Sequence, residues 1–234
     1  MIEGKAKRRR IHLVRHGHVS YFDADGKPLD PRHVSLSAQG VMQAKSLAAA
    51  LKDVSFDRIL CSDLERARET ASILAEAGGT AIEPQAALRE IRLGRLREIP
   101  HERLETDLAY AYDHAAEDDA SFVGGESFAE FEHRVLGALD AALQDESWDK
   151  LLIVSHDAVN RILLCWAAGS GRSAMAAFEQ DMCCMNIVDV DTVDGKAVRR
   201  LIRSMNFTPY DVLKAESRLT VMEKVFHSYR VDKN

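Results

Sequence analysis

Ile11-His12-Leu13-Val14-Arg15-His16-Gly17-His18 is the stretch that decides how this chain is organised. An apolar run that stops abruptly on a polar turn reads as a buried strand of a parallel sheet. Ligands of open α/β sheets sit outside the carboxyl ends of such strands, so Arg15 and His16 stand where chemistry is done. Gly17 lets the backbone approach a ligand closely. A fixed cation beside a nucleophile or base is therefore expected here, with its partners supplied by later strand ends.

Two such ends follow. Leu151-Leu152-Ile153-Val154-Ser155 runs into His156-Asp157, and Arg58-Ile59-Leu60-Cys61 runs into Ser62-Asp63 with Arg66 in the first turn of the next helix. Histidines at equivalent ends of parallel strands meet in one crevice. Helix starts present unpaired amides and positive potential, which suit an anion. Arg15 and Arg66 add the forked donors that match phosphate oxygens.

The remaining elements fit the same sheet. Ser37 caps a helix to about Lys52, and Ser62 or Asp63 caps one to about Ala77. A short strand is expected near Thr80 to Glu83, then an arginine-rich loop from Leu88 to Arg103 that passes into a helix over Glu102 to Glu117. Helices over Phe128–Gln144 and Ala158–Ala168 precede a hairpin of Met185–Val190 and Val198–Met205 around Asp194-Gly195. Strand–helix repeats ending in a hairpin predict an α/β fold, a three-layer αβα sandwich with a mostly parallel sheet, plus a C-terminal helix. One catalytic domain spans residues 11–206, after a basic leader at 1–10 read as solvated and before a helical extension at 207–234. Thr208 and Pro209 mark the start of that last helix, whose Val212, Ala215, Leu219, Met222, Phe226 and Tyr229 make one apolar face. Docking on its own domain is the expectation, with a homodimer through this helix as the alternative.

Composition narrows the partners. A net charge of -6 argues against general nucleic-acid binding. No apolar stretch reaches the length of a membrane span. Cys61, Cys165, Cys183 and Cys184 show neither disulfide nor zinc spacing, which points to a reducing cytoplasm.

The ordered motifs resemble the histidine phosphatase superfamily, the group of cofactor-dependent phosphoglycerate mutases and many phosphomonoesterases. They are Arg15-His16-Gly17; Leu36-Ser37 with Gly40, Gln43 and Ala44; Ser62-Asp63-Leu64-Glu65-Arg66-Ala67 with Thr70-Ala71; Leu88-Arg89-Glu90 with Gly94; Gly124-Gly125-Glu126-Ser127; and Ser155-His156. They run from Arg15 to about Gly169, and each is weak alone while the ordered set is strong. The resemblance implies a phosphoglycerate mutase-like fold and a phosphatase acting through a phosphohistidine on His16. It implies that Arg15, Gly17, Arg66 and His156 bind the phosphoryl group of a small phosphorylated substrate, and that Glu90 is the proton donor. No metal or cofactor is implied, since the side chains neutralise the phosphate. For Glu90 to keep its proton, Arg89 or Arg92 must face away from it.

The chain departs from the family pattern at three places. His18 and Phe22 replace a Glu or Gln and a phosphate-binding Asn, and Leu96-Arg97-Glu98 replaces an aromatic-Glu-Gly. The last difference disfavours the alternative of a mutase-type phosphotransferase. Arginines from Arg92 to Arg103 bind a second anionic group or pair with neighbouring carboxylates. A catalytically weak phosphate-binding relative is the non-enzymatic rival. His16-Gly17-His18 as the metal pair of a barrel hydrolase is another, but it needs eight strand–helix units and leaves Arg15 and Arg66 without a role.

Overall fold

Alternating side chains build the sheet: Leu151 and Ile153 enter one core while Leu152 and Val154 enter another. The structure, a computed structural model, describes residues 6–231 except 24, 26, 28, 77, 97, 98 and 217. Within them run β1 (Lys7–Arg15), α1 (Ala38–Ala50), β2 (Arg58–Ser62), α2 (Glu65–Ala75), β3 (Ile82–Gln85), α3 (Phe128–Gln144), β4 (Lys150–Ser155), α4 (Asp157–Ala168), β5 (Met185–Val193), β6 (Lys196–Phe207) and α5 (Val221–Val231). The strand order is β3-β2-β4-β1-β5-β6. Strands β3, β2, β4 and β1 are mutually parallel, β5 is antiparallel to β1, and β6 is antiparallel to β5. Ala44 and Leu47 of α1 and Ala67 and Ala71 of α2 pack with Val14, Ile59 and Val154 on one face. Phe131 and Val135 of α3 and Ile162 and Leu163 of α4 pack with Ile11, Leu13 and Val188 on the other. The expected αβα sandwich is thus observed.

Three local expectations are corrected. Strand β1 begins at Lys7, so residues 7–10 are not a solvated leader. Arg8 pairs with Asp191 at 2.6 Å and Arg10 with Asp189 at 2.7 Å, both across the β1–β5 ladder. Arg9 points inward, 4.3 Å from the Trp148 ring centroid, and donates to the carbonyls of Leu143 and Asp145 at the end of α3. A helix C-terminus favours a cation there. Met1 to Lys5 of the expected leader lie outside the described residues.

The helix expected over Glu102–Glu117 is broken into a 3-10 turn at His101–Arg103, a π-helical turn at Glu105–Ala109 and further turns. Packing outweighs helix propensity here: Leu104, Leu108, Tyr112 and Ala115 are all buried, and α5 lies against the π turn. The final helix starts at Val221 rather than after Thr208. Thr208 instead closes a turn, its hydroxyl donating to the Asp211 carbonyl. Tyr210 donates to the Met182 carbonyl and Lys214 pairs with Asp181, so residues 208–214 are tied to the segment before β5. Met222 and Phe226 of α5 are buried in the core of their own chain, which is the docking expected.

Candidate active site

Strands β1 and β4 pair in parallel with Arg15 opposite Ser155, so both end at the same edge. The residues just beyond, His16 and His156, place their ring centroids 5.1 Å apart. Arg66 comes from the first turn of α2, which follows the neighbouring strand β2. Its Nε lies 3.2 Å from His16 Nε2, one terminal nitrogen lies 3.4 Å from His156 Nδ1, and the other donates to the Pro31 carbonyl at 2.7 Å. His16, Arg66 and His156, from separate parts of the chain, thus meet in one buried cluster.

His16 Nδ1 donates to the Gly17 carbonyl at 2.8 Å, a hydrogen bond that selects the tautomer with a lone pair on Nε2. Burial, then Arg66 and Arg15, push the His16 pKa well below the usual histidine value, so the ring is neutral. His156 is held neutral by burial and by His16, Arg66 and Arg15, and its Nε2 contacts the Ser62 hydroxyl at 2.8 Å. Arg15 is buried and donates to the Gln180 carbonyl at 2.6 Å, while its Nε has no hydrogen-bond partner among the described residues. A buried cationic donor without a partner is costly, and an anion would satisfy it.

Glu90 follows the 3-10 turn at Ala86–Leu88 and lies half-buried against the start of α4. Its Oε1 accepts from the amides of Ile91 at 3.0 Å and Ala158 at 3.2 Å. Burial and then Asp157 raise its pKa to about 7, against the opposing pull of Arg15 and Arg66. Arg134 of α3 fixes the backbone there, donating to the carbonyls of Ala87, Arg89 and Glu90 while paired with the buried Glu126 at 2.8 Å. Arg89 pairs with Asp63 at 2.6 Å and Arg92 approaches Glu126 at 3.6 Å. Both arginines thus turn away from Glu90. Arg103 likewise pairs with Asp107, as a solvated charged segment would, and Arg97 and Glu98 lie outside the described residues.

Gly17 donates to Thr70 Oγ1 and sits so close to α1 that a Cβ would lie 2.6 Å from the Gly40 carbonyl oxygen. His18 contacts the Ser37 hydroxyl at 2.8 Å, and burial and Arg15 lower its pKa. With His16 Nε2 facing a guanidinium, the His16–His18 pair does not offer a cation site, and the described residues contain no cluster of three metal-ligating side chains. Ser62 and Asp63 do not cap α2; Leu64 occupies the cap position without a side-chain bond.

Sequence reading missed five contributors. Gln180 and Ser62 contact Arg15 and His156 through groups that carry no local signal. Asp157 and Arg161 form an i,i+4 pair at 3.0 Å that spacing could have found, and Tyr112 donates to Asp157 at 2.8 Å.

The family model of the histidine phosphatase superfamily (branch 1) matches residues 11–202. The chain belongs to that superfamily. Among relatives, it is 30% identical to the adenosylcobalamin/alpha-ribazole phosphatase of Escherichia coli K12, covering 78% of this chain and 90% of that protein. It is 30% identical to the 2-carboxy-D-arabinitol-1-phosphatase of Triticum aestivum over 91% of this chain and 43% of that one. The crystal structure of the alpha-ribazole phosphatase from Shigella flexneri is 28% identical with a TM-score of 0.66, covering 84% and 96% of the two chains. A mycobacterial hydrolase, 20% identical with a TM-score of 0.70 over 97% of this chain and 98% of its own, shows the fold alone. This histidine phosphatase is a phosphoric monoester hydrolase by its family and named relatives, as the motif order led us to expect. No helix among its described residues is long and apolar enough to cross a membrane.

Proposed function

We propose that the protein hydrolyses a small phosphomonoester in two steps through a phosphohistidine on His16. The supporting observation is the neutral His16 ring, its Nδ1 tied to the Gly17 carbonyl and its Nε2 turned to the Arg66 guanidinium. In the first step the Nε2 lone pair attacks phosphorus in line, forming a P–N bond as the P–O bond to the alcohol breaks. Glu90 gives its proton to the departing oxygen. In the second step Glu90 takes a proton from water, whose oxygen attacks phosphorus and breaks the P–N bond, releasing phosphate.

Arg15, Arg66 and His156 hold the equatorial oxygens, with the Gly17 backbone beside them. Charge shifts among these oxygens in the transition state, so preorganised donors are expected to supply the dominant stabilisation. The Arg15 Nε, without a hydrogen-bond partner among the described residues, supports this role. A net charge of -6 and four buried free thiols fit a cytoplasmic enzyme that does not bind nucleic acid. The burial of Met222 and Phe226 within their own chain favours docking over a homodimer through α5.

The test is p-nitrophenyl phosphate turnover by wild type and His16→Ala, with alkaline quenching to trap the acid-labile phosphoenzyme. Turnover and phosphoenzyme should both vanish in the variant. Equal turnover by the two proteins would sink the assignment and favour a binding protein. Discharge to a second phosphoglycerate instead of water would favour the mutase reading.

A further inference from the structure

Asp157 is the first residue of α4, directly after His156, and is buried. Its two oxygens are each taken by a donor: Arg161 Nε to Oδ1 at 3.0 Å and the Tyr112 hydroxyl to Oδ2 at 2.8 Å. Arg161 is itself fixed, donating to the Met175 carbonyl at 2.9 Å and to Glu179 at 2.8 Å, with its guanidinium 4.5 Å from the Tyr112 ring centroid. The next amide along, that of Ala158, donates to Glu90. Two carboxyl groups thus share the first turn of one helix.

Two neighbouring carboxyls withdrawn from bulk water resist ionising together, which favours a proton on one of them. Asp157 faces a guanidinium and a phenol, each donating to one of its oxygens. Among the described residues Glu90 accepts from two backbone amides, both on Oε1, which leaves Oε2 open to a proton. The groups facing Glu90 are Asp157 from α4, Arg15 from β1, Arg66 from α2 and Tyr112 from the segment before α3, with Arg134 on its backbone carbonyl. Arg15 and Arg66, which serve phosphate binding, act to strip the Glu90 proton. Asp157 offsets them.

We infer that Asp157 is a positioning residue whose buried negative charge keeps the proton on Glu90 beside the cationic phosphate clamp. This rests on the reading of Glu90 as the proton donor. An alkyl ester depends on that donor far more than p-nitrophenyl phosphate does, because nitrophenolate leaves without protonation.

The experiment compares pH profiles of kcat on glycerol 2-phosphate and p-nitrophenyl phosphate for wild type, Glu90→Gln, Asp157→Asn and Asp157→Glu. Glu90→Gln should abolish the alkaline limb and most of the alkyl-ester turnover. Persistence of both in that variant would overturn the Glu90 reading and this inference with it. With Glu90 upheld, Asp157→Asn should move the alkaline limb on glycerol 2-phosphate down by about one pH unit and cost several-fold more on that ester than on the aryl one. Asp157→Glu should move the limb back. An unmoved limb with equal losses on both substrates would overturn the inference and leave Asp157 a packing role. Should Asp157→Asn lack a cooperative melting transition, Tyr112→Phe takes its place, since it removes only a hydroxyl. It should cost more on the alkyl than on the aryl ester, and equal losses would again overturn the inference.

Discussion

Glu90 and His16 titrate in opposite directions for one shared reason: both leave water, but one is neutral when protonated and the other when deprotonated. For Glu90, whose pKa is raised to about 7, the proton is present below that pH and lost above it. Alkyl-ester kcat/KM is therefore expected to fall on the alkaline side of about pH 7, a limb read from a rate profile on the free enzyme. His16 adds no matching acid limb near neutrality, because its pKa lies well below the usual histidine value. Arg66 tests the geometry differently. Its planar fork reaches His16, His156 and the Pro31 carbonyl at once, which an ammonium cannot copy. Arg66→Lys should lower kcat about 10²- to 10³-fold, as loss of a transition-state donor does, and a smaller drop would show that charge alone suffices.

Elements place these residues by close approach. A Cβ on Gly40 of α1 would lie 2.2 Å from the His18 carbonyl oxygen and 2.9 Å from its amide nitrogen, both backbone atoms unable to swing aside. Gly40→Ala should therefore destabilise the fold by about 1–3 kcal/mol, seen as a lower denaturant midpoint, and should also disturb the loop that carries His16. Helix α5 acts from the other side. The Val221 amide donates to Glu179 Oε1 at 2.8 Å, and the other Glu179 oxygen accepts from Arg161. Ending the chain before Val221 should lower the melting temperature, because Met222 and Phe226 leave the core, and should loosen the Arg161–Asp157 pair. A truncated protein with unchanged melting and unchanged alkyl-ester turnover would show that α5 only covers the surface. Local signals reached some elements and not others. Ser37 caps α1 as expected, and Ser127 caps α3 by accepting from the Glu130 amide. The segment from His101 to Ala120 lacked such signals, and its turns follow from packing, against α5 at Glu105–Ala109 and against Phe122 and Phe128 at Tyr112.

Across the whole molecule, stability depends on keeping buried histidines neutral. His12 on β1 is 3% exposed, lies edge-on to Phe56 with ring centroids 5.0 Å apart, and has no partner for Nδ1 among the described residues. Burial and then Arg10 lower its pKa to about 4 from the ordinary 6.5. The unfolded chain therefore binds this proton first, so stability is complete above about pH 6.5 and declines as pH falls toward 4. His12 alone should contribute roughly 3 kcal/mol of acid sensitivity over that window. Denaturant melts of wild type and His12→Phe should converge at neutral pH and separate below pH 6.5 in favour of the variant; parallel curves would remove His12 from the account.

Sequence by itself determined the alternating strands, the capped helices around them and the strand ends that carry Arg15, His16 and His156, because burial period and helix caps are local properties. It also named Arg66 and Glu90 through motif order. Tertiary structure alone decided that Arg9 lies inward on Trp148, that Gln180 anchors Arg15 and that Asp157, held by Tyr112 and Arg161, stands next to the Ala158 amide that Glu90 accepts from. Those outcomes depend on charges and donors brought close in space by a fold whose contacting residues are far apart in the chain. Coulomb energy follows that separation in space, which no local pattern encodes.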